Sequence, residues 1–235
     1  MGLEDRETMR ILRAAVCPGP ESEVLIRDFY TRWFATDLSA RDLFPPDMEK
    51  QRYVFAEALT WLCDELIAQR AEEPVAFLAQ LGRDHRKYGV SQAHYETLKT
   101  ALLGALRTHL AEHWDRRMSE AGNDVVTLVV GVMSGAADAE TSPPFCDGTV
   151  LEHLRATRDV SVIRLKMDHP LSYLPGQYVP VQIPQWPRRW RYLSPSIPAD
   201  ANGYVEFHVR SVPGGMVSTA ILGEARPGDR WRVSN

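Results

Sequence analysis

The sequence predicts two architectures in one chain, an all-α half followed by an antiparallel β half. Three observations carry that reading. Up to about residue 140 the apolar residues recur three and four apart, the spacing of one helix face. Beyond "TSPPFCDGT" (141–149) they gather into short β-rich runs punctuated by Pro and Gly. A length of 235 residues suits one large domain or two modest ones.

The helical elements follow in order. In "SEVLIRDFYTRWF" (22–34), Val24, Phe29 and Trp33 are expected to share a face with Leu25 and Ile26 at its edge, and Pro20 and Ser22 mark the start. The breaker "FPPD" (44–47) precedes "MEKQRYVFAEALTWLCDELIAQ" (48–69), a second amphipathic helix. "PVAFLAQLGRDHRKY" (74–88) is a third, stopped by Gly89, and Ser91 caps the helix "SQAHYETLKTALLGALRTHLAEHW". A last helix is expected through "DVVTLVVGVMSGAADAE" (124–140). Short connections between helices of mixed length suit globin-like packing as well as a regular bundle. In the second half, "VSVIRLKM", "GQYVPVQI", "YVEFHVRSV" and "DRWRVS" read as strands of a barrel or sandwich, and "GGMVSTAIL" as a loop opening a short helix.

Composition excludes several classes. Lys and Arg total 27 against 31 Asp and Glu, a net charge of -4, so no basic field points to nucleic acid. The charged opening "MGLEDRETMR" has no signal-peptide core, which leads to an expectation of a cytoplasmic chain. No run reaches the roughly 20 apolar residues of a membrane span. The three cysteines, Cys17, Cys63 and Cys146, lie in no metal-ligand spacing and are expected to be reduced thiols.

Of the seven histidines, His85 is the best candidate for an axial metal ligand, since it closes a helix beside a glycine stop. Spacing alone leaves open a solvated histidine that favours the helix dipole. The same holds for Tyr30 and Phe44, which as isolated residues read as core aromatics.

The ordered set "DFYTRWF", "LFPPDMEKQR", "LGRDHRKYGVSQAHY", "PGQY", "RYLS" and "GGMVST" resembles the flavohaemoglobins, in particular the actinobacterial type carrying "LFPPDM". The resemblance implies a globin-like haem-binding domain over 1–142. Residues 143–235 would then form an incomplete antiparallel β-barrel of the ferredoxin-reductase FAD-binding type. It makes His85 the proximal ligand of haem b iron, Phe44 the aromatic wedged on the porphyrin, and Tyr30 the distal hydroxyl. Gln51 becomes its amide partner and Phe55 lies one turn further on. A Tyr and a Glu stand behind the proximal histidine in such proteins; Tyr95 matches the first. The second could fall on Gly131, Asp138 or Glu140, so a weakened or absent relay is expected.

The flavin motif R-x-Y-S is matched by Arg191 for the phosphate and Ser194 near a ring nitrogen, but Leu193 replaces the stacking tyrosine. Tyr192 is adjacent yet points to the opposite face of a strand. Tyr178 is a second ring contact and Trp190 a rim aromatic. Gly214 and Gly215 allow close approach, and the N–H groups of Val217 and Ser218 face the pyrophosphate. Weak FAD binding is therefore expected. The implied activity is dioxygen binding and nitric oxide dioxygenation. Electrons would come from NAD(P)H through FAD, supplied by an absent nicotinamide domain or a separate reductase. Two alternatives stay open: an oxidoreductase fed by an organic hydroxy acid, and a haem-based gas or redox sensor.

Overall fold

The computed structural model describes residues 3–70 and 72–234. It divides into two compact units, Met1–Thr141 and Ser142–Asn235.

The first unit carries α1 (Leu3–Val16), α2 (Pro20–Thr36), α3 (Leu38–Arg41), α4 (Glu49–Ile67), α5 (Glu72–His85), α6 (Gln92–His109) and α7 (Arg116–Ala139). Main partners are distant in sequence: α1 packs on α4, α2 on α6 and α5 on α7. An up-and-down bundle would pair successive helices, so this is globin-like packing. Local chemistry sets the boundaries. Pro20 opens α2 and the Ser22 hydroxyl accepts the Gly19 N–H at 3.0 Å. Ser91 caps α6, and a 3-10 turn at Arg86–Tyr88 ends at Gly89 with φ 81°.

Three helical expectations change. Val24 is 57% exposed, whereas Leu25, Ile26, Phe29, Tyr30 and Trp33 are buried. Five residues separate Val24 from Phe29, which is about 140° around a helix, so the two cannot share a seam. Helix α7 begins well before Asp124, because the Asp115 carboxylate accepts the Met118 N–H at 2.8 Å and caps it there. Helix α1 occupies a stretch to which sequence reading assigned no element; Met9, Leu12 and Val16 of α1 are buried in the core.

The second unit is an antiparallel sheet of β1 (Cys146–Arg155), β2 (Val160–Met167), β3 (Val179–Gln182), β4 (Trp190–Leu193), β5 (Tyr204–Arg210) and β6 (Arg230–Val233), with α8 (Met216–Glu224) before β6. The strand order is β4-β3-β6-β1-β2-β5. Strand β1 corrects the extent of the expected linker: the stretch read as 141–149 gives way to a strand at Cys146, held between β6 and β2. The expected incomplete barrel is a six-stranded antiparallel sheet that does not close, with one isolated bridge, Pro195 to Phe207, between the β4 end and β5. Pro195 has no N–H with which to extend the ladder. Ile163, Leu165, Val205, Phe207 and Trp231 fill the core with Val217 and Ile221 of α8.

Candidate functional site

In the first unit an aromatic wall surrounds one hydroxyl. The Tyr30 ring lies 5.5 Å from Phe44, nearly edge-on, and 5.8 Å from Phe55. Phe44 also meets Trp33 and Phe34, each at 5.6 Å, and Phe55 stacks on Phe29 at 5.1 Å. Helices α2 and α4 supply most of these rings; Phe44 comes from the turn between them. Arg41 fastens that turn, donating to the carbonyls of Phe44 and Pro45 at 3.1 Å each and of Pro46 at 3.3 Å. Sequence reading missed Arg41 and Phe34; the "LFPP" turn, with two prolines that cannot donate, was the available signal.

Gln51 Nε2 donates to the Tyr30 hydroxyl oxygen at 3.5 Å. Because Tyr30 accepts there, its own proton is left to donate elsewhere. Burial raises the Tyr30 phenol well above its usual range, against the Gln51 bond and the nearby Arg52 charge, so it stays protonated.

On α5, His85 Nδ1 donates to the Leu81 carbonyl at 2.6 Å. A carbonyl only accepts, so the proton sits on Nδ1 and Nε2 keeps its lone pair. Burial lowers the imidazole pKa, which favours the neutral, metal-binding form. His94, the nearest rival, has both ring nitrogens engaged: Nδ1 accepts the Ser91 N–H at 3.0 Å and Nε2 lies 2.9 Å from Ser39 Oγ. It closes the capping box of α6. His85 therefore fits a haem iron ligand and His94 does not.

The Tyr95 hydroxyl is buried and has no hydrogen-bond partner among the described residues. Burial, with the Asp138 charge adding to it, pushes this phenol up to about 12. Of the three positions considered for an acidic partner, Asp138 thus comes near Tyr95 without a hydrogen bond. Gly131 is an exposed glycine with open space around it. The structure gathers Tyr30, Gln51, Phe44 and Phe55 into one cluster; the hydrogen bonds of His85 and the packing of Tyr95 lie on α5 and α6.

The second unit presents flavin-type chemistry with one displacement. Strands β3 and β4 pair without a bulge, Val179 with Leu193 and Pro180 with Tyr192. Leu193 packs against the core with Val179 and Val181. Tyr192 takes the other face, where its ring meets Tyr178 at 5.0 Å, and both rings are more than half exposed. Trp190 is buried rather than a rim residue. Arg191 and Ser194 are exposed, with Arg191 Nη1 donating to the Trp190 carbonyl at 2.8 Å.

Gly214 has φ 75°, and Gly215 caps α8. A Cβ on Gly215 would stand 2.7 Å from Ser218 Oγ and 3.0 Å from the Val212 carbonyl. The Ser218 hydroxyl staples this loop, accepting the Val212 N–H at 3.1 Å and donating to the Gly215 carbonyl at 3.2 Å. Ser218 therefore offers an anion its backbone N–H, together with Val217, whose side chain is buried. The helix end and the exposed arginine each suit a flavin's phosphates, and the tyrosine pair offers an exposed aromatic face.

A helical unit that carries a neutral, oriented imidazole and a sheet unit with a helix-end anion cradle define a haem- and flavin-binding oxidoreductase architecture. Residues 27–133 match the Globin family and residues 147–235 match the Oxidoreductase FAD-binding domain. The globin domain implies haem and the second domain implies FAD. The chain has the fold of the flavohaemoglobin from Malassezia yamatoensis, whose structure holds FAD and haem. That match has a TM-score of 0.71 at 13% identity, covering 100% of this chain and 63% of the other.

Two relatives match one domain each. The ferredoxin–NAD(P)(+) reductase component of naphthalene 1,2-dioxygenase/salicylate 5-hydroxylase systems from Ralstonia sp is 40% identical over 88 residues, 37% of this chain and 26% of that protein. An anaerobic nitrite reductase from Oryza sativa subsp. indica is 29% identical over 125 residues, 52% of this chain and 86% of that protein. The chain thus spans about a quarter of the reductase relative. Among the described residues, no helix is long and apolar enough to cross a membrane.

Proposed function

We propose that the chain is a nitric oxide dioxygenase-like oxidoreductase, in which nitric oxide, dioxygen and one electron combine to nitrate. The observation that carries this reading is the hydrogen bond from half-buried Gln51 to buried Tyr30 within the unit that orients His85. When bound, haem supplies the ferrous site for the diatomic gases, and flavin supplies the one-electron steps that keep it reduced.

The residues divide the work as follows. His85 would hold iron through Nε2, with its tautomer fixed by the Leu81 carbonyl. Phe44 and Phe55 would pack against the porphyrin and exclude water. Tyr30, accepting from Gln51, has its own proton available and would donate it to a gas ligand that acquires negative charge. Tyr95 stands as a neutral buried hydroxyl on the proximal side. Arg191, Val217 and Ser218 would hold the flavin phosphates, Ser194 the ring edge and Tyr178 the ring face. Electrons come from NAD(P)H through a further domain or a separate reductase, as the reductase-type relatives suggest.

The test is steady-state nitric oxide consumption by the haem-loaded chain, with NAD(P)H, a flavin reductase and oxygen. Nitrate formation that depends on added FAD supports the reading; no nitrate above the reductase alone overturns it. The rice relative favours a second reading, reduction of nitrite by one electron and two protons to nitric oxide and water. Anaerobic nitric oxide release from nitrite, without aerobic nitrate formation, would select it.

A further inference from the structure

The geometry points to Gly82 as a positioning residue for the iron ligand: its missing side chain lets α5 rest directly on the backbone of α7, and that contact sets where His85 stands. This inference rests on the reading of His85 as the axial ligand.

A Cβ built on Gly82 lies 2.1 Å from the Met133 carbonyl oxygen, 2.7 Å from its Cα and 2.8 Å from its carbonyl carbon. Real Cβ atoms essentially never come within 3.0 Å of such neighbours. Among the described residues, Gly82 is the only glycine whose added Cβ would meet backbone below that limit. Pro74, Leu78 and Gly82 are buried at four-residue intervals, forming the inward seam of α5. Leu81 and His85 form the adjacent stripe, joined by the Nδ1 to carbonyl bond. One short, straight helix segment therefore carries both the α7 contact and the oriented imidazole.

An alanine at 82 cannot be absorbed by a rotamer change, because the opposing atoms are backbone. Helix α5 must move off α7 by about an ångström, since densely packed interiors transmit such strain. His85 and the Leu81 carbonyl travel with it. The tautomer is preserved while the place of Nε2 in the helical unit changes. Displacements of about 1 Å at a reacting centre have large effects.

The test compares haem-loaded full chains of Gly82→Ala, Leu78→Ala and Gly135→Ala. It reads haem transfer to an apo-globin acceptor, the iron–histidine stretching band by resonance Raman, and thermal unfolding by circular dichroism. Gly82→Ala is expected to lose haem at least tenfold faster and to shift the iron–histidine band. Adding Met133→Ala should not restore it, since the blocking atoms remain. Leu78→Ala should lower the melting temperature yet leave the band in place, because it loosens the seam without pushing. Gly135→Ala, whose Cβ meets nothing within 4 Å, should leave haem loss and the band unchanged and should not lower the melting temperature, since alanine favours the helix.

Free imidazole gives the sharpest arm. In His85→Gly chains supplied with imidazole, the ligand is no longer tethered to α5, so Gly82→Ala should have no further effect on haem retention. A normal band in Gly82→Ala overturns the proposal. So does a Gly82→Ala defect that persists with free imidazole, or a chain that stays unfolded when supplied with haem, since each assigns the contact to the fold alone. A His85→Ala chain that takes up haem with the wild-type spectrum would instead overturn the axial-ligand reading.

Discussion

The two units reach their candidate sites by different routes. In the helical unit the groups that matter are tied before any cofactor arrives: His85 to Leu81, Tyr30 to Gln51, and the Phe44 turn to Arg41. The rings around Tyr30 fix one another in contact. In the sheet unit Arg191, Ser194, Tyr178 and Tyr192 are exposed, while the α8 cradle is stapled from within. Pre-tied groups lose little freedom when a ligand binds, whereas exposed ones must be ordered at that moment. The helical unit is accordingly expected to hold its cofactor more tightly, and four experiments can break or sharpen the contrast.

The largest effect is expected at His85. Replacing it with Ala should collapse the Soret band or leave haem loosely held, while His94→Ala, which removes a cap, should keep the band. A native spectrum in His85→Ala would remove the proposed asymmetry at its source.

Next is Tyr30→Phe. It deletes a hydrogen bond to a charged partner, worth about 1.5–3 kcal/mol. Dioxygen should leave the ferrous protein roughly 10- to 100-fold faster, as stopped-flow dissociation will show. An unchanged rate would place the Tyr30 proton elsewhere.

A smaller effect is expected in the sheet unit. If the Tyr178–Tyr192 face takes the flavin ring, Tyr192→Ala should weaken FAD binding about three- to tenfold, the worth of an aromatic pair at about 0.5–1.5 kcal/mol. Leu193→Ala should lower the melting temperature and leave FAD affinity near that of the parent. Titration by flavin fluorescence separates the two, and the reverse pattern would return the ring to the Leu193 face.

The smallest effect concerns acid. The Arg164 guanidinium, with Ser196 and His208, holds the Glu206 carboxyl below its usual value of 4.5. Its stabilisation is complete above that value and is lost as pH falls through the lower folded value. Glu206→Gln should therefore melt lower than the parent at pH 6, with the difference shrinking below pH 4. A difference independent of pH would mean that charge plays no part.

Where the chain turns, stops and repeats is written locally. The three-to-four spacing, the Ser91 cap, the Gly89 stop and the Gly215 cradle each depend on residues within a few positions of one another. The run "VSVIRLKM" coincides with β2 for the same reason. Tyr30, Gln51, Phe44 and Phe55 are named together from their types and order, and the structure brings these four into one cluster. Other features were not, since they depend on what lies opposite. "CDGT" reads as linker by composition and becomes strand because β2 and β6 flank it. Tyr95 gains its hydroxyl's isolation from the packing around it, and Leu193 turns inward because Val179 and Val181 are its neighbours on one sheet face. Gly82 is the clearest case. Its sequence context says only that a glycine interrupts a helix, a cost of about 1 kcal/mol relative to alanine. Tertiary structure supplies the reason, a helix backbone from fifty residues downstream occupying the space where a side chain would be. Local free energies select the elements, and close packing between distant ones decides which atoms face the chemistry.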